Sequence, residues 1–97
     1  MENKDYINIF KALGEETRLQ IFQMILNGPL CACKIQEKFS LTQPTLSHHL
    51  KVLSDSKIIK AKKNGKWIFY SVNCEMLDQV IGFVSAAKCV RENNFKQ

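Results

Sequence analysis

Two cysteines separated by one residue, Cys31 and Cys33, are the side chains of this 97-residue chain with the clearest capacity for chemistry. Two further cysteines, Cys74 and Cys89, lie in the second half of the chain. The N-terminus lacks the apolar core and cleavage site of a signal peptide, so we expect a cytoplasmic protein whose thiols are reduced. In that compartment cysteines indicate metal binding or redox sensing before structural disulfides. Thiolates bind soft ions such as As(III), Sb(III), Cd(II) and Pb(II) far better than hard ones.

A second group of side chains has the types and spacing needed to contact DNA. Six of the fourteen lysines and arginines fall between residues 51 and 66, where only Asp55 opposes them. The net charge of +5 and the pI near 9.1 favour an anionic partner. Hydrogen-bonding side chains precede this basic stretch, and such groups read base edges while lysines hold phosphates. The candidate DNA contacts are Gln43, Thr45, Ser47, His48, Lys51, Lys62, Lys63 and Lys66.

The two adjacent histidines in this segment have different predicted roles. Neighbouring positions on a helix point about a third of a turn or more apart, so His48 and His49 do not converge on one metal ion. We expect His48 to face DNA and His49 to be a partly buried structural residue.

These residues need a scaffold, and the apolar pattern predicts five helices and one hairpin. The predicted helices span 5–13, 15–26, 30–38, 42–56 and 74–92. Two β-rich runs on either side of Asn64-Gly65 predict a hairpin over 58–72, with lysines at its tip. The apolar stripe of the last helix is too broad for a helix that lies on the surface of a small domain. It predicts a helix buried on two sides, as at a dimer interface.

This order of elements is that of a winged helix-turn-helix, a mainly α fold with a β-hairpin wing. The length allows a single DNA-binding domain over 1–97. There is no apolar run of the ~20 residues that a membrane span needs. The sequence contains no credible Ser-His-Asp set and no phosphate-cradling glycine loop, so nothing in it predicts catalysis. The alternative of another class is a protein-interaction module with a solvated polar helix, which would leave the dense positive charge unexplained.

Three segments closely resemble the ArsR/SmtB family of bacterial metal-sensing repressors. The segment ALGEETRLQIFQMI is similar to the opening segment of the family, and LTQPTLSHHLKVL is similar to its recognition helix. IIKAKKNGKWIFYSVN resembles the wing of the family, in which a basic-Gly-basic tip precedes an aromatic strand. The resemblance covers nearly the whole chain. It implies a homodimer, joined mainly through its first and last helices, that binds inverted-repeat operator DNA and releases it when an inducer binds.

The same resemblance places Cys31 and Cys33 in the metal-binding box of the family. It implies that they form the core of an inducer site, most simply for arsenite or antimonite, in a protein that requires no resident cofactor. The third cysteine of some arsenic sensors in the family is replaced here by Gln36. A third ligand would therefore come from Cys74, Cys89, a cysteine of the partner subunit or a small external thiol.

Two questions about the cysteines stay open at this point. Residues two apart on a regular helix point to nearly opposite sides, so Cys31 and Cys33 reach one ion only if the first turn is non-helical or unwinds. The signal could also be Cd(II), Pb(II), or an oxidant or sulfane sulfur sensed through disulfide chemistry. For Cys74 and Cys89 a structural role as small buried apolar residues is the favoured alternative.

Overall fold

In the computed structural model, which describes residues 1–89, helices and a small sheet pack around an apolar core. The helices are α1 (Asn3–Leu13), α2 (Glu16–Ile25), α3 (Ala32–Gln36), α4 (Gln43–Asp55) and α5 (Cys74–Ala86). The strands β1 (Leu30–Cys31), β2 (Ile59–Asn64) and β3 (Trp67–Val72) form an antiparallel sheet in the order β1-β3-β2. This is the predicted mainly α architecture, and the hairpin β2–β3 is the predicted wing.

The core collects apolar side chains from the first four helices and from the start of the wing. Each fully buried aliphatic side chain of this kind contributes about 1.5–3 kcal/mol to folding through burial. The spacing within α4 is helical, so its buried leucines share one face and hold the helix against the domain. The buried set is Ile9, Ala12, Ile21, Phe22, Ile25, Ile35, Leu46, Leu50, Leu53, Ile58 and Ile59.

Side-chain caps begin three of the helices. Glu15 accepts a hydrogen bond from the backbone N–H of Arg18 at the start of α2. Thr42 caps α4 and Asn73 caps α5, each by accepting from a backbone N–H three residues later. A cap of this kind is worth ~1 kcal/mol because it satisfies a backbone donor that the helix leaves without a partner.

The wing turns one residue later than the Asn64-Gly65 pattern predicts. Asn64 is the last residue of β2 and pairs with Trp67, so Gly65 and Lys66 make the two-residue turn. Gly65 has a φ of +64°, a left-handed conformation that a residue without a side chain adopts at little cost. Such a turn matches the twist of the flanking strands, and it sets the register of the wing.

Two predicted helices differ from the structure at their ends. The predicted helix 30–38 is wrong at its start, because Leu30 and Cys31 form β1 and pair with Tyr70 and Phe69 of β3. The predicted helix 74–92 ends early: α5 stops at Ala86 and the next residue is extended. Residues 90–92 of that prediction lie outside the described part of the chain.

The first half of α5 packs on the domain, while apolar side chains of its second half are exposed in a single copy of the chain. Met76, Leu77 and Val80 lie against the core, whereas Ile81, Phe83 and Val84 are 42–55% exposed. Within residues 1–89 no helix is both long enough and apolar enough to cross a membrane.

Candidate DNA-binding surface and thiol pair

The helix α4 presents a continuous polar face to solvent. Thr42 fixes its start by capping the N–H of Thr45, and Pro44 occupies the first turn, where a missing N–H costs little. Because the leucines of the opposite face are buried, the remaining face must point outward. The exposed side chains on that face are the predicted contacts Gln43, Thr45, Ser47, His48 and Lys51. Lys51 also forms an ion pair with Asp55, with 3.0 Å between Nζ and Oδ2.

The wing carries the predicted lysines in exposed positions. Lys62 lies opposite Phe69 and Lys63 opposite Ile68, so their side chains leave opposite faces of the hairpin. Lys66 follows the glycine of the turn, and its ammonium lies 5.3 Å from the centre of the Trp67 ring. None of the ion pairs among the described residues involves a wing lysine. The positive charge of the wing is therefore available to an external anion.

A polar cluster that the sequence did not reveal joins α1, α2 and α4. The Arg18 guanidinium donates to the backbone carbonyl of Ala12 at 2.7 Å and contacts Nδ1 of His49 at 3.2 Å. A carboxylate oxygen of Glu15 lies 3.8 Å from the same His49 nitrogen. The hydrogen bond from the Arg18 backbone lowers the pKa of Glu15 below its ordinary value, with burial acting in the opposite direction.

This cluster accounts for the two histidines. His48 is exposed on the polar face of α4, whereas the His49 side chain is only 13% exposed and contacts Arg18. The predicted division between an outward His48 and a partly buried His49 is confirmed. Residues 18 and 49 are 31 positions apart, so only the tertiary fold brings them together.

The two cysteines of the C-x-C motif are adjacent in space. Cys31 ends β1 and is the residue before α3, with an extended backbone at φ −75° and ψ 157°. Cys33 lies in the first turn of α3, and a disulfide joins the two side chains across a Cα–Cα distance of 5.3 Å. The two sulfurs converge because Cys31 is not helical, which is the condition that convergence on one ion requires. Cys31 is buried and Cys33 is exposed.

The other two cysteines lie at the start of α5 and after its end. Cys74 is the first residue of α5 and Cys89 follows its end, and both are exposed. Over residues 1–89 no group of three or more His, Cys, Asp or Glu side chains is placed to hold a metal ion. One protomer, as far as it is described, therefore offers the thiol pair without a third protein ligand.

Comparison with known proteins identifies the family to which this chain belongs. Residues 15–61 match the family model described as bacterial regulatory protein, arsR family. The arsenical resistance operon repressor of Staphylococcus xylosus is 41% identical over 80 residues, which cover 82% of this chain and 77% of that protein. The chain belongs to the ArsR family. The predicted family is thus confirmed, and the chain is a transcriptional regulator and not an enzyme.

Solved structures of ArsR-family regulators show the same fold. A crystal structure of one such regulator superposes with a TM-score of 0.79 at 22% identity and covers 88% of each chain. A homodimeric winged helix-turn-helix DNA-binding domain from Mycobacterium bovis superposes with a TM-score of 0.72 at 22% identity. The match covers 84% of this chain and 76% of that domain. The predicted winged helix-turn-helix fold is confirmed.

Proposed function

We propose that this ArsR-family chain is a homodimeric repressor that binds operator DNA through α4 and the wing. The observation that carries this proposal is the joint exposure of the polar face of α4 and the unpaired lysines of the wing. A helix of this kind enters the major groove, while a basic hairpin beside it holds the flanking backbone. A protein-interaction module with the same shape would show no salt-dependent affinity for DNA.

The proposed dimer interface is the exposed apolar face shared by α1 and α5. Tyr6 of α1 stacks on Phe83 of α5 with 4.1 Å between the ring centres, and Phe10 lies 6.2 Å from the same ring. Ile7 and Val84 extend this face, each about half exposed. Exposed apolar area of this kind is typical of a subunit interface. Two-fold symmetry would then present two copies of α4 to an inverted repeat.

We further propose that trivalent arsenic or antimony binds Cys31 and Cys33 in their reduced form and releases the DNA. Two sulfurs on one ion lie on the order of 3.5 Å apart when each bond is about 2.3 Å long. Because the two sulfurs are already adjacent, a small movement of the two side chains would bring them to this separation. The Staphylococcus xylosus relative is an arsenical resistance operon repressor, which supports arsenic as the ion.

The position of the pair suggests how a bound ion would act on DNA affinity. Cys31 is held in the sheet opposite Phe69, while Cys33 belongs to α3. The side chain of Gln36 at the end of α3 donates to the carbonyl of Leu41, just before α4 begins. An ion that pulls on Cys33 relative to β1 would shift α3 and thereby α4. The ion lowers DNA affinity if the shifted form binds the ion better and the DNA less well.

The test is fluorescence anisotropy of labelled DNA from upstream of the gene, with and without micromolar arsenite, on reduced protein. We expect arsenite to release the wild type. Cys31→Ser and Cys33→Ser should bind DNA within about twofold of wild type and stay bound in arsenite. Cys74→Ser is the matched control, because it removes an exposed cysteine of α5, and it should respond as wild type does. Normal release of Cys31→Ser would show that the thiol assignment is wrong.

The disulfide between Cys31 and Cys33 supports a second candidate signal, which is oxidation. Hydrogen peroxide would take two electrons and two protons from the thiol pair, so that one S–S bond forms, the O–O bond breaks and two waters leave. Peroxide or polysulfide would then release DNA, and dithiothreitol would restore binding. Retention of DNA by protein whose pair is shown by mass spectrometry to be oxidised would exclude this signal. Release by Cd(II) or Pb(II) but not by arsenite would keep the thiol site and change its ion.

A further inference from the structure

A cleft of about 590 Å³ lies between α3, α4 and the wing, and Cys33 is part of its wall. Its apolar side includes Leu50 of α4 and Trp67 of the wing. Its polar side offers amide groups and one ammonium group. The lining residues that could contact a ligand in the cleft are Cys33, Gln36, Gln43, Leu50, Lys66 and Trp67.

The thiol pair leaves the coordination of a trivalent arsenic ion incomplete. Trivalent arsenic forms three bonds, and the pair supplies two sulfurs. Within residues 1–89 no third ligating side chain joins them. Cys31 is 9% exposed, whereas Cys33 is exposed and borders the cleft. An ion held by the pair therefore has its third coordination position open toward the cleft.

We propose that the third arsenic ligand is a small external thiol that carries a carboxylate and occupies this cleft. The inference rests on the proposed arsenic function of the thiol pair. Arsenous acid, the two cysteine thiols and the external thiol form three As–S bonds. Each thiol proton leaves with one hydroxyl of the arsenous acid, so three waters are released and no electrons are transferred.

The cleft has the groups that such a thiol would need. Lys66 supplies a positive charge for the carboxylate, and a charge-assisted hydrogen bond is roughly twice as strong as a neutral one. Gln36 donates one amide N–H to the carbonyl of Leu41, so its second amide N–H remains as a donor for a carboxylate oxygen of the ligand. The apolar wall contacts the carbon chain of the ligand.

An occupied cleft would oppose DNA binding directly. Gln43 and Lys66 are both predicted DNA contacts and both line the cleft. A carboxylate next to Lys66 would neutralise a charge that otherwise faces a phosphate. Arsenite and the external thiol would therefore release DNA together more effectively than arsenite alone.

The experiment measures arsenite binding to the DNA-free protein, with the fluorescence of Trp67, the single tryptophan, as the signal. A phosphine reductant keeps the pair reduced without adding a thiol. Titrations are run with no small thiol, with 3-mercaptopropionate, and with 2-mercaptoethanol, which has no carboxylate. We expect 3-mercaptopropionate to tighten arsenite binding at least about tenfold, and 2-mercaptoethanol to do so less. Native mass spectrometry should show protein, arsenic and one 3-mercaptopropionate per site.

Two variants test the role of the ammonium group. Lys66→Met should remove the advantage of 3-mercaptopropionate over 2-mercaptoethanol. Lys60→Met is the matched control, because it removes an exposed wing lysine that does not line the cleft, and it should keep the advantage. Equal arsenite affinity with and without either thiol, or a complex without a bound thiol, would overturn the proposal while the arsenic site itself stands. No arsenite binding in any titration would overturn both.

Discussion

The charge on the wing makes a quantitative prediction for the variant Lys63→Ala. Lys63 is exposed near the end of β2 and faces the same side of the hairpin as Ile59, whose side chain packs in the core beside α4. No carboxylate among the described residues pairs with it. Each phosphate contact contributes about 0.9 to the slope of log affinity against log salt. A homodimer with two such contacts would therefore lose about 1.8 from the slope.

The slope is measured by anisotropy at several salt concentrations between 50 and 200 mM. Over that fourfold range a change of about 1.8 in slope means that the wild type loses roughly twelvefold more affinity than the variant. The decrease in slope for the variant should be the same on operator and scrambled DNA, because phosphate contacts carry no sequence information. The matched control is Lys4→Ala, which removes an equal charge from a lysine of α1 that is paired with Glu2. Equal slopes for Lys63→Ala, Lys4→Ala and the wild type would refute the placement of the wing on DNA.

Three further predictions concern the scaffold. Arg18→Met should lower the free energy of unfolding by about 1.5–3 kcal/mol in urea titrations, because a charged donor to Ala12 and to His49 is lost; a loss below ~0.5 kcal/mol would contradict this. The lowered pKa of Glu15 stabilises the fold above its ordinary value of 4.5, and this stabilisation is lost as the pH falls through the folded pKa. Urea midpoints should therefore fall more between pH 6 and 3 for wild type than for Glu15→Gln. Parallel curves of midpoint against pH would contradict this contribution of Glu15. Phe83→Asp should give monomers by sedimentation, since it places a charge in the apolar face of α1 and α5; a stable dimer would exclude that interface.

Those parts of the fold that depend on local periodicity could be predicted from the sequence. The spacing of Leu46, Leu50 and Leu53 locates the buried face of α4 and thereby its exposed face. The alternating β-rich runs around Gly65 predict the wing, although the turn lies one residue later. These signals are carried by neighbouring residues, so no tertiary information is needed to find them.

The parts that were missed depend on contacts between distant residues. The two residues of β1 are too few to show a period, and they are extended because β3 offers them a free edge. The contact of Arg18 with His49 likewise has no local signal. The geometry of the thiol pair follows from β1, since the extended backbone of Cys31 is what allows its sulfur to meet that of Cys33. The helical periodicity of 30–38 therefore gave the wrong backbone at the residue that matters most.

The most direct test of arsenic control through the thiol pair is one anisotropy titration of reduced protein on DNA from upstream of its gene. Arsenite is added to the preformed complex, and a small dithiol chelator such as dimercaptopropanol is added afterwards. Arsenite should lower the anisotropy to that of free DNA, and the chelator should restore it. Cys33→Ser should show neither change. Anisotropy that stays high in arsenite, or that falls equally for Cys33→Ser, would contradict control of DNA binding by the thiol pair through arsenic.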